Sequence, residues 1–370
     1  MKKIRHVLGI SGGKDSAALA IYMHNKHPEI DMEYYCCDTG KELDETYKLI
    51  ENLEIYLGKK VKVLTTIDSS SKTPFDHFLD IKNNYLPSNF SRWCTREMKL
   101  LPFERYVGKD NVISYVGIRG DEDREGYISK KPNIQSIFPF RKNIWSEDVI
   151  QKFLHNKNIA SLVDFYKENT TASKFKTILP YLETPLSYSF DAKQKLEALL
   201  DAGVTNFNHA VFSFLQTTNY PLSNCEASYF PLLNNEDILI RDDIFRILEE
   251  SGVGVPKYYK KIPYEVNGET GHYSRSRSGC FFCFFQQRIE WVWLYEQHPD
   301  LFFAAMEYEK EGYTWIQNES LAELMHPKRI ESIKAEHLKR MKRQAAKKTS
   351  PYLLDILDDA EDEGCAACFI

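Results

Sequence analysis

No apolar run in this 370-residue chain approaches the ~20 residues that a membrane-spanning helix needs. Met1-Lys2-Lys3 leads straight into the first apolar run without the hydrophobic stretch of a signal peptide, so a cytoplasmic protein with no membrane partner is expected. An excess of cations is also missing. The formal charge is −5, which gives no global sign of nucleic-acid binding and confines any such surface to a local patch. The eight cysteines are scattered and include two Cys-x-x-Cys pairs; with no export signal, this favours metal or redox chemistry over a disulfide framework. At the first glycine-rich turn, neither the Walker spacing nor the Gly-x-Gly-x-x-Gly dinucleotide pattern is present.

What is present is an ordinary globular composition, 43% hydrophobic and 27% charged, in a chain long enough for a sizeable core and two domains. Ile4 to Ile10 is too short for a helix and reads as a buried parallel strand, while Ala17 to His24 reads as a helix. Between them lies Ser11-Gly12-Gly13-Lys14-Asp15-Ser16. A strand–turn–helix of this kind offers backbone N–H groups and a positive helix end to an anion. The loop is expected to be exposed, so that replacing Lys14 or Asp15 by Ala leaves the fold intact.

Ser-Gly-Gly-Lys-Asp-Ser resembles the PP-loop of the ATP pyrophosphatase and phosphoadenosine-phosphosulfate (PAPS) reductase superfamily. The resemblance implies a Rossmann-like, adenine nucleotide α-hydrolase-like α/β fold: a parallel sheet with helices on both faces. Two further strand-end turns support it. Asp38-Thr39-Gly40, after the strand Met32 to Cys37, looks like the second family signature; a helix N-cap is the plainer reading of Asp38. Gly117-Ile118-Arg119, with Asp121 and Arg124, looks like the third, where planar guanidinium suits phosphate or sulfate oxygens. The resemblance thus assigns nucleotide binding to Ser11, Gly12, Gly13, Lys14, Asp15, Ser16, Asp38, Thr39, Gly40, Gly117 and Arg119. Lys14, Asp15, Arg119 and Arg124 are the expected catalytic residues, with ATP and Mg2+ bound.

A cysteine module follows later. Gly279-Cys280-Phe281-Phe282-Cys283 precedes an apolar helix, and Arg92-Trp93-Cys94-Thr95-Arg96 lies before a basic one. Two thiolates two residues apart can grip one metal, and Cys94 is the expected third ligand. Soft thiolates suit iron–sulfur or zinc alike; the resemblance leans toward a [4Fe–4S] cluster, with zinc as the alternative. The chain accordingly divides into a nucleotide domain (1–150), a helical insertion (151–234), a mostly helical cysteine module (235–325) and a tail (326–370).

The tail holds a basic stretch over 328–348, a local candidate for nucleic acid, and an acidic end with Cys365 and Cys368. It is not a prenylation box, because the fourth residue from the end is Ala367. The function expected is ATP-dependent activation of a substrate, by adenylylation or pyrophosphate release, for sulfur transfer. Nucleic acid is one acceptor class, and a cysteine desulfurase is the sulfur donor that the resemblance suggests. The alternatives are a thioredoxin-dependent PAPS reductase, although the Glu-Cys-Gly-Leu-His tail of those enzymes is missing, and a nucleotide-sensing subunit of a defence-related complex.

Overall fold

The computed structural model describes residues 4–65, 67, 71–122, 129 and 131–347, with side chains through 343. Five parallel strands form the sheet: β1 (Arg5–Gly9), β2 (Met32–Cys37), β3 (Val61–Leu64), β4 (Val112–Tyr115) and β5 (Ile134–Ile137). Their order is β3-β2-β1-β4-β5. The chain therefore winds outward from β1 in one direction and then returns to build the other half, which places a topological switch point between β1 and β4.

Both faces of the sheet are covered, as a parallel sheet requires. Along β1, Leu8 enters one core and Val7 the other; along β4, Ile113 and Tyr115 face the first while Val112 faces the second. Period-two alternation between two apolar layers explains why these strands read as continuous hydrophobic runs. The helix α1 (Lys14–Lys26) is buried from Lys14 through Met23, because the sheet lies on one side of it and the helix Arg241–Glu250 on another. The helix α2 (Asp44–Leu57) ends at Gly58 in the left-handed region.

The segment after residue 147 is helical, with Ile159–Asn169, Ala172–Glu183, Ala192–Ala202 and Val204–Leu215 packing into the same core as α1. Asp191 caps the third of these through a capping box with Gln194. A second core gathers Phe75, Trp93, Trp291, Trp293 and Trp315 beneath the cysteine module. That module also contains a hairpin, β6 (Ile262–Val266) and β7 (Glu269–Tyr273), which a mostly helical reading does not include. Its turn, Asn267-Gly268, has positive φ at both residues, the geometry that suits the right-handed twist of a two-residue hairpin. Among the described residues no helix is long and apolar enough to cross a membrane.

Candidate active site

The loop between β1 and α1 is closed and internally bonded. Ser11 N–H donates to Ser16 Oγ at 3.2 Å, and Ser16 Oγ donates to the Gly13 carbonyl at 3.1 Å. Gly12 has φ +72°, and a Cβ there would fall 2.1 Å from Thr46 Cγ2, so glycine is required by the backbone as well as by access. The expectation of an exposed loop is not met. Lys14, Asp15 and Ser16 are only 6%, 5% and 3% exposed, because α1 starts at Lys14 and sinks at once between sheet and helix.

Within this buried turn, three charges meet. Lys14 Nζ lies 2.9 Å from Asp15 Oδ2, and Arg119 Nη1 lies 2.8 Å from Asp15 Oδ1. Arg119 also reaches Glu122 at 3.0 Å and Asp121 at 2.8 Å. Burial lowers the Lys14 pKa, opposed by Asp15. Burial pushes the other way at Asp15, but the attraction of Lys14 and Arg119 prevails and holds its carboxyl below the usual range. Gly117 makes the meeting possible: a Cβ there would lie 2.8 Å from the Asp15 carbonyl, so the end of β4 can press against the start of α1. The structure thus brings the first and third predicted signatures together at the switch point. Arg124 lies outside the described residues.

The second signature stands at the end of β2. Asp38 does not cap α2, whose N-cap is Leu43; instead its carboxylate accepts from Gly40 N–H at 2.8 Å and Tyr47 hydroxyl at 2.9 Å. Thr39 Oγ1 donates to Glu42 at 2.9 Å and lies 3.1 Å from Cys280 Sγ. A bridge between Glu42 and Cys280, and a bond from Phe281 N–H to the Lys41 carbonyl at 2.9 Å, pin the cysteine loop to this turn.

Cys94 lies in a helical run made of Trp93–Thr95, a π segment Arg96–Leu100, and Leu101–Val107. Pro102, which cannot donate to an ordinary helical bond, sits just after the widened turn. Burial pushes the Cys94 thiol up to about 12, with a charge on Cys283 adding to the effect. Burial likewise raises Cys280 and Cys283, and Lys99 opposes this at all three thiols. Cys283 acts on both Cys94 and Cys280, and the half-buried Lys99 acts on all three. Their donors are soft, of the kind that binds iron or zinc, but the Glu42 carboxyl also stands beside Cys280. Among the described residues, no three His, Cys, Asp or Glu side chains form a group placed to hold an ion.

Several residues at the site were not singled out by their sequence. Tyr258 hydroxyl donates to the Gly12 carbonyl at 3.0 Å, and Tyr259 hydroxyl accepts from Lys14 N–H at 3.4 Å, with the Lys14 ammonium 5.0 Å from its ring. Ser278 Oγ donates to the Ser11 carbonyl at 3.3 Å. Paired tyrosines after Pro256 were visible in the sequence, but nothing in it pairs them with a loop more than two hundred residues away. Cys225 lies in the insertion, its thiol raised by burial and by Glu226.

Comparison with known proteins agrees with this geometry. Residues 5–177 match the phosphoadenosine phosphosulfate reductase domain. An uncharacterized protein of Methanocaldococcus jannaschii is 30% identical over 166 residues, covering 41% of this chain and 32% of that protein. The chain thus spans about a third of the length of that curated relative. The sheet and its loop thus lie within the segment, residues 5–177, that matches the phosphoadenosine phosphosulfate reductase domain, a domain of the PP-loop ATP pyrophosphatase and PAPS reductase-like superfamily.

Proposed function

We propose that this protein is a PP-loop enzyme that binds Mg·ATP at Ser11–Ser16 and activates an acceptor for sulfur transfer. The supporting observation is the buried Lys14–Asp15–Arg119 cluster at the switch point, overlain by the loop that carries Cys280. An acceptor oxygen attacks the α-phosphorus, the bond to the pyrophosphate oxygen breaks, and an acceptor adenylate forms. A sulfur nucleophile then displaces AMP. In this reading, Lys14 leaves Asp15 to meet the charge that develops on pyrophosphate, while Arg119, with Arg124, faces the α-phosphate. Asp38, Thr39 and Gly40 line the nucleotide side of the β2 turn. Cys94, Cys280 and Cys283 hold an iron–sulfur cluster, or zinc, which supplies a site for sulfur.

Nucleic acid is the acceptor class this reading names. On the helix Pro327–Lys347, Lys334 and Lys342 are paired with Glu296 and Glu269, and Arg329 with Glu319, which leaves the exposed Lys328, Lys339 and Arg343 to meet a strand. A PAPS reductase is the second reading, favoured by the description of the matching domain. Titration calorimetry with Mg·ATP and with PAPS, together with an assay for pyrophosphate and sulfite, separates the two. Sulfite release with thioredoxin and no use of ATP replaces the first reading by the second.

A further inference from the structure

Phe90 is 93% exposed, although the loop that carries it is fixed at both ends. Leu86 and Trp93 sit in the second core, and the Trp93 indole N–H donates to the Tyr85 carbonyl at 3.0 Å. Between them Ser88 and Ser91 exchange backbone bonds, each N–H donating to the other's carbonyl at 3.1 Å, which closes a turn with Asn89 and Phe90 at its tip. A single exposed ring is ordinary on a protein surface. This one stands two residues before Arg92, whose guanidinium lies 4.9 Å from the centre of the Phe285 ring. Phe285 packs in turn on Phe284 with ring centres 4.3 Å apart, and both rings are only half-buried. The thiols are close along the chain: Cys94 follows Arg92 by two residues, and Cys283 immediately precedes Phe284.

Among the described residues, cations outnumber acids here. Arg92 and Arg96 are exposed, and the half-buried Lys99 and Arg277 both act on Cys283. On the acidic side, Glu97 is matched by Lys82 at 3.5 Å, the buried Glu290 is matched in number by the buried Arg275, and Glu42 remains beside Cys280. Arg92 follows Phe90 in the chain and covers Phe285, so ring and cation alternate as base and phosphate do along a strand. A folded protein partner would gain more from a continuous apolar face, which these charges interrupt. A base that is to reach the thiols must also leave its own stack, and open rings replace the neighbours it gives up. We propose that Phe90, Arg92, Phe284 and Phe285 form a stacking surface for the unpaired bases of a single-stranded nucleic acid, leading toward Cys94 and Cys283. This rests on the reading of nucleic acid as the acceptor, and assigns its bases to a surface distinct from the cations Lys328, Lys339 and Arg343.

The test uses the full chain and a fluorescein-labelled single strand of about 12 nucleotides, as RNA and as DNA, read by anisotropy beside the matching duplexes. The single strands are expected to bind more tightly than the duplexes, and whichever of RNA and DNA binds better identifies the acceptor. Phe90→Ala should weaken that binding about tenfold. Its thermal midpoint and Mg·ATP affinity should stay at the wild-type values, because the ring is exposed. Phe90→Trp should retain the affinity. Phe90→Leu, which keeps an apolar side chain without a π-face, should bind about as weakly as Phe90→Ala. Wild-type affinity in Phe90→Leu marks a site for apolar contact with a protein and overturns the proposal, as does a duplex bound as tightly as its single strand. Binding weakened by Lys339→Ala but not by Phe90→Ala overturns this surface and leaves nucleic acid as the acceptor. Binding of neither strand overturns both, while Mg·ATP turnover in the same preparations keeps the nucleotide reading separate.

Discussion

Arg119 Nη1 lies 2.8 Å from Asp15 Oδ1, so the turn after β4 is tied to the first turn of α1 through an ion pair with little access to water. Asp15 also holds Lys14, and removing it leaves two buried cations facing each other. Asp15→Ala is therefore expected to cost about 3–5 kcal/mol. Lys14→Ala leaves Asp15 paired with Arg119 and should cost about 1–2 kcal/mol. Both should slow nucleotide turnover by about a hundredfold or more. Urea midpoints decide the order; equal losses would dismiss a shared cluster.

Gly12 carries two demands that mutation can separate. Its φ of +72° penalises any side chain, and Thr46 Cγ2 occupies the space a Cβ needs. Gly12→Ala should combine about 1–2 kcal/mol of left-handed strain with about 1–3 kcal/mol of overpacking. Thr46→Ser removes the offending methyl, so Gly12→Ala in a Thr46→Ser background should lose only the strain. If the two effects simply add, the methyl is not what opposes the Cβ.

The relative affinity for nucleotides follows from the cation in the loop. Lys14 is poised to exchange Asp15 for a phosphate oxygen, and the β,γ-phosphates of ATP offer more such oxygens than PAPS does near the leaving group. Mg·ATP is expected to bind more tightly than PAPS by calorimetry, and Lys14→Ala to erase most of the difference. A preference for PAPS that survives Lys14→Ala would refute this.

Much of this site was legible because its chemistry is local in sequence. Ser11 to Ser16, Asp38 to Gly40 and Gly117 to Arg119 each follow a strand whose apolar run is unmistakable, and a parallel sheet brings strand ends to one edge. Their burial was not legible, since a polar run such as Lys14-Asp15-Ser16 gives no sign that the helix it opens is covered on all sides. β5 is not legible because Ile134–Ile137 spans four positions only and sets two adjacent polar residues, Gln135 and Ser136, between its isoleucines, which matches neither an alternating nor a continuous apolar run. The β6–β7 hairpin was signalled by Asn267-Gly268 and by the spacing of Tyr264 and Val266, a cue overlooked beside the cysteines. Tyr258 and Tyr259 owe their roles to long-range packing, which no window of neighbouring residues records.

A pH response is built into the docking of the last helix. His337 Nδ1 lies 2.8 Å from Tyr264 hydroxyl, and burial, with Arg340 adding to it, lowers the His337 pKa from 6.5 to about 4. The unfolded chain takes up this proton near pH 6.5 but the folded chain only near pH 4. Stability is therefore complete above about pH 6.5 and falls as the pH drops toward 4. Thermal midpoints at pH 7 and pH 4.5 should differ more in wild type than in His337→Gln. Identical differences would remove His337 as the source.

The thiols provide the last prediction. Cys94 lies in the short turn Trp93–Thr95, just before the π segment, while Cys280 and Cys283 belong to the loop pinned on Lys41 and Glu42. A metal shared among them joins the helical run beneath the second core to the turn at the end of β2, so it should stabilise both at once. Protein isolated without oxygen is expected to carry iron, with broad absorbance near roughly 400 nm, or zinc without colour. Cys94→Ser, Cys280→Ser and Cys283→Ser should each lower bound metal and the thermal midpoint. Cys225→Ser should change neither, because that thiol stands apart in the insertion with Glu226 as its neighbour. Metal content that is unchanged in Cys94→Ser would reduce the site to the Cys280–Cys283 pair, and retention in all three variants would exclude these cysteines as ligands.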